Sequence, residues 1–112
     1  MKFLVVFVSL TFASLTVLAE TPNAGMAALQ NLGQLNGQAL ACTQMAFSGK
    51  AKALMIKHAP KTRRYGEVFE EATNASFLEQ GKVLDRCPTP KEFDRRLSEL
   101  GARLQTTLPA TQ

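Results

Sequence analysis

The chain is 112 residues long, 46% hydrophobic and 20% charged, with 13 Lys and Arg against nine Asp and Glu. That length allows a single domain with a thin core, because small domains bury a smaller share of their surface. A formal charge of +4 is mildly basic and argues against a nucleic-acid binder, whose domains carry denser basic patches.

Met1 and Lys2 form a short positive start, and no charge follows from Phe3 to Ala19. Val17-Leu18-Ala19 places small residues at the −3 and −1 positions of a signal-peptidase site, and polar Glu20-Thr21-Pro22-Asn23 comes next. This pattern predicts a secretory signal peptide at 1–19, cleaved from a single domain at 20–112. The alternative is a retained anchor, but 17 uncharged residues including four Ser or Thr are short for a bilayer span. No stable membrane anchor is therefore expected after cleavage, and the destination is the periplasm or the exterior. Losing Lys2 leaves 12 basic against nine acidic side chains, a net charge of +3.

Helical periodicity dominates the remainder. Ala28, Leu32, Leu35, Ala39, Cys42 and Ala46 recur at alternating steps of four and three, the spacing of one helix face. Gly33, Gly37 and Ala41 form a second row on that helix. Each glycine weakens a helix by about 1 kcal/mol relative to alanine, so the row calls for a reason. Close approach of a neighbouring backbone is one; a break at "LGQLNGQ" is the other, and the unbroken apolar row favours the first. Ser48-Gly49 is expected to punctuate the chain. A second helix over "KAKALMIKHA" then turns Ala51, Leu54, Met55 and His58 inward and stops before Pro60. A third begins near Thr62, carries Tyr65, Val68, Phe69, Ala72 and Ser76, and stops at Gly81 in a left-handed conformation. The last opens on "TPKE", Thr89–Glu92, a capping box with proline at the first helical position. Phe93, Leu97, Leu100 and Leu104 give it an apolar face opposite Arg95, Arg96, Glu99 and Arg103. The fold class is all-α, a compact bundle of about four helices.

Cys42 and Cys87 are the two cysteines, and an even count in an exported chain argues for one disulfide. It closes a loop of 44 intervening residues, for which chain entropy gives about 4 kcal/mol. A metal site or catalytic thiol is the competing reading, but there is one histidine and no CxxC spacing. No metal or other cofactor is expected.

Catalysis needs polar groups converging within reach of one another. His58 stands apart from acidic residues, the exported serines 48, 76 and 98 lie in no nucleophile elbow, and Glu67, Glu70 and Glu71 follow Arg63 and Arg64 as a salt-bridged face would. "KHAPKTRRYGE", residues 57–67, is the densest charged stretch, with Lys57, Lys61, Arg63 and Arg64 around Pro60 and Tyr65 beside them. Two readings stand: a solvated corner between helices, or a surface that docks an anionic partner.

The outline, with an export signal, Cys42, Cys87-Pro88 and a closing helix from Thr89, resembles the HdeA-like helical periplasmic proteins. It is also similar to the small helical immunity proteins that neutralise type VI secretion effectors. The export signal, the disulfide-stapled bundle, the absent catalytic set and the basic junction together predict a non-catalytic role: binding another protein, one with an acidic surface where the junction is used, as an immunity, inhibitor or envelope accessory factor. A stress chaperone and a small envelope hydrolase using His58 are the alternatives. A chain already basic at neutral pH departs from an acid-activated chaperone, and no functional residue carries across.

Overall fold

The computed structural model describes residues 23–110, so the expected signal peptide at 1–19 lies outside the described residues. Four helices follow in order: α1 (Asn23–Ala41), α2 (Met45–His58), α3 (Arg63–Gly81) and α4 (Pro90–Thr107), with a 3-10 turn at Leu84–Arg86 before α4. No strand occurs among the described residues, and no described helix is long and apolar enough to cross a membrane. The chain is a helical bundle with one disulfide.

Its organising element is α1, which packs against each of the other helices, while α2 and α4 also touch. Ala28, Leu29, Leu32, Leu35 and Ala39 of α1 are fully buried, as are Ala51 of α2 and Phe93 and Leu104 of α4. Phe47 stacks on Phe93 with ring centroids 5.2 Å apart, joining α2 to α4. α3 leans chiefly on α1. A Cβ added at Gly33 would stand 2.6 Å from the Phe69 carbonyl oxygen and 2.8 Å from the Ala72 Cβ. One added at Gly37 would strike the Thr73 carbonyl oxygen and lie 2.7 Å from the Phe77 nitrogen. The glycine face of α1 is thus filled by the backbone of α3 from the same chain, and the helix runs unbroken through both glycines. Ala41, last in that row, ends α1 and is half-buried.

The boundary between the first two helices differs from the sequence expectation. α1 stops at Ala41, and Ser48 and Gly49 lie inside α2. The stop is a Schellman closure: the Gln44 amide donates to the Ala39 carbonyl at 2.7 Å and the Thr43 amide to Leu40 at 3.2 Å. Thr43 adopts the left-handed conformation this requires, with φ of 58°. A β-branched residue is a poor occupant of that region, so the sequence carries no glycine to mark this helix end. Cys42 sits in this turn and bonds Cys87, their Cα atoms 5.9 Å apart across 45 positions. Ala46, placed on the α1 face by its spacing, is carried into α2 and exposed.

α3 does end at Gly81, but no glycine has positive φ. The end is tied instead by the Lys82 and Val83 amides donating to Glu79 and Gln80, and by Gln80 Nε2 donating to the Val83 carbonyl at 3.0 Å. α4 begins as expected. Thr89 Oγ1 accepts from the Glu92 amide and Glu92 Oε2 from the Thr89 amide, and Phe93, Leu97, Leu100 and Leu104 are all buried.

Candidate binding surfaces

α2 runs to His58, and Ala59 then takes an extended conformation ahead of Pro60. Thr62 caps α3 without a side-chain hydrogen bond. The corner between them carries Lys57, Lys61, Arg63 and Arg64, all exposed. Arg63 Nε lies 4.0 Å from Glu67, but the Arg63 side chain is 89% exposed, so solvent screens the pair and it contributes little. The structure therefore gathers the four cations at one corner with at most one loose carboxylate partner. Tyr65 behaves differently: it packs partly buried against the core cluster and anchors the corner.

His58 is 5% exposed. Its Nδ1 lies 2.8 Å from the Leu108 carbonyl oxygen. Because a carbonyl only accepts, Nδ1 carries the proton there and the ring ties the end of α2 to the end of α4. Among the described residues no three His, Cys, Asp or Glu side chains group as metal ligands.

Beside the corner, α2 and α3 diverge over α1 and leave a cleft of ≈ 530 Å³ lined by Leu40, Met55, Ile56, Phe69 and Thr73 among others. A hollow of ≈ 340 Å³ shares Met55, Ile56 and Gly66 with it and reaches Pro60, Lys61 and Thr62. The apolar cleft thus reaches the basic corner at Lys61, whereas Lys57 lines a hollow on the other side of α2, towards Asp94 and Leu97 of α4. Ile56 is 73% exposed at their junction.

A larger groove of ≈ 610 Å³ lies on the other flank of α3, floored by Gln30, Gln34 and Gln38 of α1 and reached by Arg96 of α4. Arg96 is half-buried, and its Nη1 donates to Gln38 Oε1 at 2.6 Å. Burial pushes its guanidinium below the ordinary arginine value, Arg95 adds to the effect, and Glu92 and Glu99 oppose it. Its place in the sequence puts Arg96 with Arg95, Glu99 and Arg103 on the solvent side of α4. In fact it borders the apolar stripe, three residues after Phe93 and four before Leu100, and that spacing was the available signal.

A polar relay through the core was also missed. Ser48 Oγ donates to Asn36 Oδ1 at 2.6 Å. Asn36 Nδ2 donates to Thr73 Oγ1 at 3.2 Å, and Thr73 donates to the Phe69 carbonyl at 2.8 Å. Asn36 and Ser48 are both 2% exposed, so the relay stitches α2, α1 and α3 together from the buried Ser48 out to the half-buried Thr73 at the floor of the cleft. Asn36 follows Leu32 by four and precedes Ala39 by three, which places it on the core face. Spacing alone does not tell a buried partner from a polar residue at the edge.

No family model matches the chain, and neither a curated protein nor a solved structure matches it, so the likeness to the HdeA-like and immunity proteins rests on outline alone.

Proposed function

We propose that this chain is an exported, non-catalytic protein that binds another protein through the α2–α3 corner. The observation that carries the reading is an apolar cleft that reaches the basic corner at Lys61. Ile56 stands 73% exposed at its mouth, Arg63 and Arg64 are exposed next in the chain, and Lys57 lies one residue beyond Ile56. A large exposed aliphatic side chain beside exposed cations, of which only Arg63 has a carboxylate partner, a loose one, among the described residues, suits a partner that presents an apolar ridge flanked by carboxylates. The charges steer the encounter, and the buried apolar area holds the complex. Tyr65 contributes by fixing the corner's geometry. An immunity, inhibitor or accessory role fits this chemistry, and the disulfide fits an oxidising compartment. His58 is spent on holding helix ends together, which supports a binding role over a catalytic one.

The test is capture of partners from the native envelope by the immobilised chain, run beside an Arg63→Glu/Arg64→Glu variant and an Ile56→Glu variant. Saturable capture that weakens with salt and is lost in both variants is expected. Capture that survives both changes refutes the corner as the binding surface.

A further inference from the structure

The groove between α3 and α4 is a different surface from the corner, and its chemistry is different. Its floor is a ladder of primary amides, Gln30, Gln34 and Gln38, one helical turn apart on α1. Gln30 and Gln34 are exposed within it. The wall on α3 is locked in place, because Ser76 Oγ donates to the Gln34 carbonyl at 2.5 Å. Across from it, Arg96 leans in from α4 with one guanidinium edge held by Gln38.

Arg96 makes no ion pair among the described residues. The nearest acids on its own helix are engaged elsewhere: Glu92 closes the Thr89 capping box, and Glu99 bridges Arg95 at 3.1 Å. Of the acids on the α3 wall, Glu79 bridges Lys82 at 3.1 Å, and Glu71 is exposed. A half-buried guanidinium has lost part of its hydration, and a planar carboxylate is the group that best replaces it.

The dimensions narrow the ligand. Gln30 to Gln38 spans about 12 Å of helix, at about 6 Å between successive amides. An extended peptide advances about 3.3 Å per residue, so every second peptide group meets a glutamine and about four residues fill the ladder. Gln30 and Gln34 each offer both a donor and an acceptor, as a peptide group does, and Gln38, whose oxygen accepts from Arg96, offers its amide N–H groups. The lining residues include no aromatic ring on which a sugar or a base would stack.

We propose that the α3–α4 groove binds a short extended peptide segment, with Arg96 pairing its carboxylate and Gln30, Gln34 and Gln38 hydrogen-bonding its backbone.

The test uses the full chain, expressed from its own first methionine, purified oxidised and isotope-labelled. It is titrated with N-acetyl-tetraalanine as the free acid, with the same peptide as its C-terminal amide, and with acetate. The expected result is a saturable shift of the side-chain amide signals of Gln30, Gln34 and Gln38. The free acid should bind at least about tenfold more tightly than the amide, as a charge-assisted pair requires. Arg96→Gln should lower binding of the free acid to the level of the amide. The mapping on the unaltered chain decides the matter even where that variant folds poorly. Equal binding of acid and amide, acetate binding as well as the peptide, shifts confined to the α2–α3 corner, or no shift at millimolar peptide each overturns the proposal.

Discussion

Replacing Gly37 with alanine tests whether α3 is seated by backbone contact. In an open helix this change stabilises by about 1 kcal/mol. Here the new Cβ would meet the Thr73 carbonyl, the Phe77 nitrogen and the Ser76 Cβ, two of them rigid backbone atoms of α3. At Gly33 the same addition comes 2.6 Å from the Phe69 oxygen where ordinary contact begins at 3.4 Å, so α3 must retreat by about 0.8 Å. Overpacking of this kind costs about 1–3 kcal/mol, which outweighs the propensity gain. The contacts at Gly37 are closer than those at Gly33, so the upper part of that range, about 2–3 kcal/mol, applies. After the propensity gain of about 1 kcal/mol, the expected net loss for Gly37→Ala is about 1–2 kcal/mol, or about 4–16 °C in Tm for a domain of this size. One retreat of α3 accommodates both methyl groups, so the Gly33→Ala/Gly37→Ala double variant should lose less than the sum of the singles. Gly49→Ala supplies the control: that glycine is inside α2, and an added Cβ meets nothing within 4 Å. It should gain about 0.5–1 kcal/mol. Urea denaturation followed by circular dichroism reads the parent and all four variants. A Gly37→Ala midpoint at or above the parent, moving with Gly49→Ala, refutes the argument.

Three further expectations follow from the same geometry. Replacing Cys42 and Cys87 with serine removes a cross-link spanning 45 positions. The denaturation midpoint should fall by the equivalent of about 4 kcal/mol, and a shift below about 1 kcal/mol would contradict the loop-entropy account. Asn36→Ala strands the buried Ser48 hydroxyl and should cost about 2–3 kcal/mol. Adding Ser48→Ala should recover part of that loss, and a strictly additive double-mutant cycle rules the relay out as a coupled unit. Thr43→Gly frees a left-handed position with φ of 58° and should stabilise by up to about 1 kcal/mol, with the helical signal unchanged; a lower melting temperature would show that the Thr43 side chain contributes more than its backbone strain removes.

The start and the apolar face of α4 were legible, because their signals are local. Thr89 and Glu92 cap each other within one turn, Pro90 suits the first helical position, and four apolar residues keep one spacing. With two cysteines only one intramolecular pairing exists, so that pairing was fixed once oxidation was assumed. Gly33 and Gly37 announced a close approach without naming the partner; the fold supplied α3. The end of α1 was not legible, since Thr43 accepts a left-handed backbone only in return for the Gln44–Ala39 bond and the neighbouring disulfide. The same holds for Asn36, Ser48 and Thr73, which are ordinary polar residues until three helices bring them together. It holds for Arg96, whose exposure depends on how α4 lies against Gln38. Local spacing determines which face of a helix is apolar. Which helix covers that face, and which clefts stay open beside it, depends on contacts between residues tens of positions apart, and tertiary packing alone decides those.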